Sequence, residues 1–225
     1  MMKLLSKKLI LALALIAFGV LMIVGVALMM LSAPRTLTSG SAIVGKAIRI
    51  GTPTIGGPFT LVSTNGEDIT DQSFRGKWLL IFFGYTSCPD LCPTALTNVS
   101  VALEKFGPDT SRLQPLFITV DPQRDTRDVM ANYLKSFDAR ILGLTGTQAQ
   151  IDGVTKEYRV YVALDKSERD GDDYLVSHSA YLYLMDPRGK FVNVIEGKED
   201  GDAIAAWLRK EIAAWLRKEM TRSKR

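Results

Sequence analysis

The chain has 225 residues, 47% of them hydrophobic and 23% charged, the balance of a globular protein with room for one large or two small domains. Its net charge of +4 is made at the ends, where residues 1–8 carry three Lys and residues 209–225 carry seven Lys or Arg against Glu211 and Glu219; these ends give +3 and +5 and leave −4 for the rest. The basic balance therefore describes a topology signal and a basic tail, which excludes a nucleic-acid-binding face and any nucleic-acid partner.

From Leu9 to Leu31 the chain runs 23 residues without a charge. At ~1.5 Å per residue a helix of that length spans roughly 34 Å, enough for a bilayer core of about 30 Å. Lys3, Lys7 and Lys8 precede it and only Arg35 follows closely. That asymmetry predicts a single-pass inner-membrane protein: a cytoplasmic N-terminus at residues 1–8, a transmembrane anchor at 9–31, and the remainder carried across into the periplasm. A cleaved signal peptide fits less well, because its apolar region is shorter and Pro34 would follow a cut after Ala33. Residues 32–57 are rich in Ser, Thr, Gly and Pro and read as a linker.

The folded domain begins near Pro58. Phe59 to Val62 and Ile69, separated by the turn dipeptide Asn65-Gly66, predict a hairpin. Trp78 to Gly84 is a continuous apolar run between turn residues, the pattern of a central strand buried on both faces. Leu96, Val99, Leu103 and Phe106 then recur at helical spacing over Thr94 to Phe106, and Gly107-Pro108 closes that helix. The alternation continues with a strand at Leu116 to Val120, a helix at Thr126 to Phe137, a strand at Ile141 to Leu144, a helix at Thr147 to Tyr158 and an extended piece at Val160 to Leu164. Asp165 to Asp173 is a charged, Gly-containing loop, and Tyr174 to Ser179 a short polar junction. Ala180 to Met185 and Lys190 to Ile195, around the turn Asp186-Pro187-Arg188-Gly189, predict an antiparallel hairpin. The fold class is thus α/β, a central mixed sheet flanked by helices. A final helix from about Asp200 contains a tandem repeat, Ala205 to Ile212 followed by Ala213 to Met220. Eight residues turn a helix about 80° past two full turns, so the second copy cannot present the first copy's buried face. It reads as an extension of the helix, with a membrane-surface contact for Trp215 and the basic tail as the sharper alternative.

Two cysteines and one histidine are the whole supply of soft ligands outside methionine. Cys88 and Cys92 lie four apart at the junction between the apolar strand and the helix after it, and Pro93 suits a first helical turn, where its missing donor is not needed. Cys92 then sits at a helix N-terminus, where the dipole favours thiolate. A structural disulfide would close too short a loop to stabilise much. A catalytic dithiol of the thioredoxin type uses two intervening residues where this chain has three. Metal binding is favoured, because soft thiolates select Cu(I) or zinc and an exposed thiol pair outside the cytoplasm otherwise oxidises. His178, just ahead of a strand, is the one imidazole available as a third ligand.

Three stretches, Phe83-Gly84-Tyr85-Thr86-Ser87-Cys88-Pro89-Asp90-Leu91-Cys92-Pro93-Thr94, Thr119-Val120-Asp121-Pro122-Gln123-Arg124-Asp125-Thr126, and Ser177-His178-Ser179 before a strand ending in Asp186-Pro187-Arg188-Gly189, resemble the SCO/SenC family in the same order. The resemblance covers about Ile55 to Trp207. It implies a thioredoxin-like domain over residues 58–212, with 213–225 as a basic helical extension. It also implies a copper ion held by Cys88, Cys92 and His178, and a role in assembling the dinuclear copper A centre of cytochrome c oxidase subunit II. Another copper chaperone or a thiol reductant would act upstream. Asp121 and Asp125 match the family's D-x-x-x-D pattern; Asp121 is expected to support the site or partner docking, and Asp125 reads equally as a helix N-cap.

Two thiolates and one imidazole would hold Cu(I) in a roughly trigonal, partly exposed site that an incoming partner thiolate can enter. Five of the eight methionines lie in or before the anchor, so there is no Met-rich copper scoop and the Cys and His set must suffice. The alternative is a membrane-tethered thiol-disulfide oxidoreductase that uses Cys88 and Cys92 without His178. Zinc on the same ligands is a third reading, without a nearby Glu to serve as general base.

Overall fold

The computed structural model describes residues 20–23, 54–165 and 174–222. The expected anchor lies outside the described residues except for 20–23, which are helical; the charged loop from 166 to 173 and residues 223–225 also lie outside them. No helix among the described residues is long and apolar enough to cross a membrane.

The elements follow in the order β1 (Thr60–Ser63), β2 (Asp68–Thr70), β3 (Trp78–Gly84), α1 (Leu91–Phe106), β4 (Leu113–Thr119), α2 (Arg127–Leu134), β5 (Leu142–Thr145), α3 (Gln148–Glu157), β6 (Val162–Asp165), β7 (Leu175–His178), β8 (Tyr181–Met185), β9 (Phe191–Glu196) and α4 (Gly201–Arg222). Seven strands form one mixed sheet in the order β2-β1-β5-β4-β3-β8-β9. Strand β3 runs parallel to β4 and antiparallel to β8, and β4 runs parallel to β5. All seven residues of β3 are buried, as expected of a run that is apolar on both faces. Pro115 falls inside β4, but β5 joins β4 only from Leu116, so the proline occupies a stretch that is still an edge.

Two readings change here. Tyr174 to Ser179 is not merely a junction: β7 pairs antiparallel with β6 in a separate two-stranded ribbon, with Val162 opposite His178. The partner strand is 10 or more residues away in sequence, so local pattern could not supply the pairing. The N-cap of α2 is Thr126, whose side chain accepts from the Val129 N–H, and not Asp125.

Helix α4 begins against α1, where Gly201 is required for the approach: a Cβ there would stand 2.5 Å from Val101 and 2.9 Å from the Asn98 carbonyl oxygen. The helix runs unbroken to Arg222, through the tandem repeat and through position 212. Its first copy buries Ala205 and Leu208, and its second copy buries no residue fully, in line with the rotation between copies. Trp215 is nevertheless committed to the domain and not to a membrane surface. Its ring meets Trp78 edge-on at 5.2 Å, its Nε1 donates to the buried Asp186 carboxylate at 3.0 Å, and the Arg188 guanidinium lies 5.3 Å from its ring centroid. Arg188 donates onward to both carboxylate oxygens of Glu219 at 3.0 Å, which clasps the second repeat to the β8–β9 turn. Trp215→Ala should therefore lower the free energy of unfolding by about 2 kcal/mol, below the range for a fully buried aromatic because Trp215 is half-buried. The urea midpoint measures this, and an unchanged midpoint would mean that the second copy does not dock in solution.

Candidate metal centre

Three segments meet at the C-terminal end of β3. The first is the β3–α1 loop with Cys88, the second is the start of α1 with Cys92, and the third is β7 with His178. Ligand atoms of Cys88, Cys92 and His178 all lie within 4.8 Å of one another. Cys92 is fully buried and Cys88 half-buried, and both are free thiols. The Cys92 sulfur reaches to within 3.6 Å of His178 Nε2. Gly84 makes room for it: a Cβ there would sit 2.9 Å from that sulfur and 2.8 Å from the Phe117 ring.

The imidazole is oriented from several sides. Phe82 and Tyr85 meet it edge-on at 6.2 Å and 5.9 Å. His178 Nδ1 lies 3.1 Å from the Ser179 carbonyl oxygen, which can only accept, so Nδ1 carries a proton and Nε2 is the ring atom turned toward the sulfurs. An open depression of about 380 Å³ lined by Leu91, His178, Ala180, Tyr181 and Glu196 gives access to the same ring.

The two cysteines do not share charge equally. Contact with the Cys92 thiol lowers the Cys88 pKa to about 4, against the cost of burial and with help from His178 and from the Cys92 backbone N–H, which donates to the Cys88 sulfur at 3.4 Å. Cys92 is pushed far up by its hydrogen bond to the Cys88 sulfur, by burial and by the negative charge of Cys88. The thiolate expected at the helix N-terminus is therefore on the loop residue instead. The helix's terminal N–H is spent on Cys88, while Cys92 is too deeply buried to ionise beside it.

Asp121, named from the sequence as a supporting residue, lies outside this cluster. Its buried carboxylate accepts from the Arg124 guanidinium and from the Tyr174 hydroxyl at 2.7 Å. Asp125 is the residue that sequence reasoning undervalued. It is fully buried and accepts from the Thr86 N–H at 3.1 Å, the Thr86 hydroxyl at 2.5 Å and the Thr119 hydroxyl at 2.6 Å. Burial raises its pKa, and those hydrogen bonds oppose the rise. It thereby pins the cysteine loop to the end of β4. Its recurrence four residues after Asp121 was the available signal, and the cap reading absorbed it.

These features define a class: a thioredoxin-like α/β domain with a Cys2His cluster at the C-terminal end of its central parallel strands. The model of the SCO1/SenC family matches residues 49–213, and the chain belongs to that family. The human mitochondrial SCO1 homolog is 41% identical over 160 residues, 70% of this chain and 53% of that protein. The chain thus spans about half the length of the curated relatives it matches. Among solved structures, Bradyrhizobium japonicum ScoI with copper bound is 45% identical with a TM-score of 0.64, covering 70% of this chain and 99% of that one. Copper-bound yeast Sco1 is 38% identical with a TM-score of 0.67, covering 77% and 96%.

Two measurements check the electrostatics. Alkylation by iodoacetamide should report Cys88 alone, since Cys92 is buried. Its rate should be half-maximal near the Cys88 pKa of about 4 and flat to neutral pH, because the reactive thiolate is lost only as pH falls through that value. A rate still climbing through pH 8 would mark an ordinary thiol. Asp125→Ala should cost about 2–4 kcal/mol in urea unfolding, because it strands the Thr86 N–H and two hydroxyls in a buried pocket. A cost under about 0.5 kcal/mol, the ordinary range for surface substitutions, would remove Asp125 from the account.

Proposed function

We propose that this chain is a membrane-anchored copper carrier that binds Cu(I) through Cys88, Cys92 and His178 and delivers it to the dinuclear copper A site of cytochrome c oxidase subunit II. The observation that carries the reading is the convergence of two sulfurs and one imidazole nitrogen within 4.8 Å, beside an open surface depression. Two thiol ligands and an imidazole are a donor set suited to Cu(I), and among the described residues no acidic group belongs to the cluster to favour a harder ion. ScoI of Bradyrhizobium japonicum and Sco1 of yeast, both similar to this chain, carry copper in their solved structures. The uncharged run at residues 9–31, after three lysines, supports a single inner-membrane span with the domain in the periplasm. Copper is cargo here: Cys88 offers a ready thiolate, Cys92 gives up a proton on binding, and the half-exposed Cys88 edge leaves room for a receiving thiol.

A second reading has its own support. A half-buried thiolate beside a buried thiol is the arrangement of an attacking and a resolving cysteine, so the same pair could reduce a disulfide on the oxidase subunit before copper arrives. His178 separates the two. In competition with a Cu(I) chelator, His178→Ala should weaken binding about 10-fold or more, and Cys88→Ser should weaken it further. Copper affinity that ignores His178, together with disulfide reduction that needs both cysteines, would favour the reductase reading.

A further inference from the structure

His178 is not carried by the main sheet. It ends β7, one strand of the two-stranded ribbon, and re-enters the main sheet only at Tyr181. An isolated two-stranded ribbon is marginally stable on its own, so its placement depends on what ties it down. On the far side of His178 that tie is Tyr174, immediately before β7. Arg124 stacks on its ring, with the guanidinium carbon 3.7 Å from the centroid, and donates to its carbonyl oxygen at 2.9 Å. The Arg124 Nε donates to Asp121, and the Tyr174 hydroxyl closes the circuit by donating to the other Asp121 oxygen at 2.7 Å. A second tether lies between Tyr174 and His178, where the Val176 N–H donates to the Tyr85 hydroxyl at 3.3 Å, and Arg124 also lies 5.7 Å from the Tyr85 ring.

We infer that Arg124 is a positioning residue of the metal centre: by clasping Tyr174 to Asp121 it fixes the start of the His178 strand and so places the imidazole over the two sulfurs. Asp121 supports the centre through this clasp and not by contact with a ligand. Arg124 suits the task because one planar fork stacks on the ring while donating to a carboxylate and to a backbone carbonyl. Lysine offers a point charge and cannot do all three.

His178 is the only histidine in the chain, so an imidazole proton–nitrogen correlation spectrum of the full-length protein reads its placement without metal. In wild type, one set of signals from a single placement of the ring is expected. In Arg124→Lys those signals should shift or broaden by exchange, while amides of β3 and β4 stay in place. A second arm, which rests on the copper reading, is a thermodynamic cycle. Arg124→Lys should raise the Cu(I) dissociation constant about tenfold when His178 is present and leave it unchanged in a His178→Ala background. Unmoved imidazole signals would overturn the inference. So would a copper penalty that persists without His178, which would mean that Arg124 acts on the fold as a whole. If Arg124→Lys fails to fold, Tyr174→Phe, which removes one hydroxyl from the same clasp, carries the test with a smaller expected shift. If wild-type copper affinity proves indifferent to His178→Ala, the copper reading falls, and the metal-free spectrum alone decides the positioning role.

Discussion

The structure depends on strand β3 being buried on both faces. Because it is central, β3 has β4 on one side and β8 on the other, and each neighbour brings one further segment to the end of β3. Strand β4 runs parallel, so its C-terminal end, with Asp121 and Asp125 in the loop beyond it, arrives beside Gly84. Strand β8 runs antiparallel, so its beginning, just after His178, arrives at the same place. The cysteine loop leaves from β3 itself. A cluster drawn from residues 88 to 178 is thus the product of one mixed triplet of strands, at the end of a sheet where α/β folds commonly place ligands.

That placement creates an electrostatic problem that the local hydrogen bonds resolve. Two thiols and an imidazole within 4.8 Å cannot all take their preferred charge, because a second thiolate beside the first would be repelled and desolvated together. The outcome is set by depth. Cys88 lies nearer the surface and takes both the negative charge and the helix N–H, whereas Cys92, with no exposed surface, keeps the proton. The same geometry suits both a metal clamp and a nucleophile with its resolving partner. What divides the two chemistries is His178 and not the cysteines.

Much of this was legible in the sequence, and the reasons differ by element. Strand β3 was plain because a run apolar at every position has few other uses, and the cysteine pair because a chain with two such residues had placed both at one junction. His178 was found by scarcity and by resemblance, not by pattern. The β6–β7 ribbon was missed because its partners are set by a long-range pairing that a short polar strand does not announce. The unequal charge of the two cysteines was not legible, because helix position, which favours a thiolate at Cys92, is local and readable, while burial is a property of the finished fold. The second repeat does extend the final helix, but the long-range contacts of Asp125 and Trp215 were not legible: a cap and a membrane contact were the local roles on offer, and each side chain instead reaches a partner tens of residues away.

These misses share a direction that bears on how the centre is built. The ligands themselves lie in recognisable stretches, but each is held by a residue whose partner is distant in sequence: Asp125 on Thr86, Tyr85 on Val176, Arg124 on Tyr174. The strands that surround the site, β3, β4, β7 and β8, come from three separate parts of the chain, so no single segment could preorganise it. Rigidity at the sulfurs comes from the buried Asp125 carboxylate beneath the loop, and placement of the imidazole comes from a partly exposed aromatic and guanidinium clasp at the ribbon's edge. Two members of the cluster are thus anchored to the core and the third sits on an element whose tether can be loosened without disturbing the sheet, a division that suits the proposed copper carrier, which would have to receive an ion and release it.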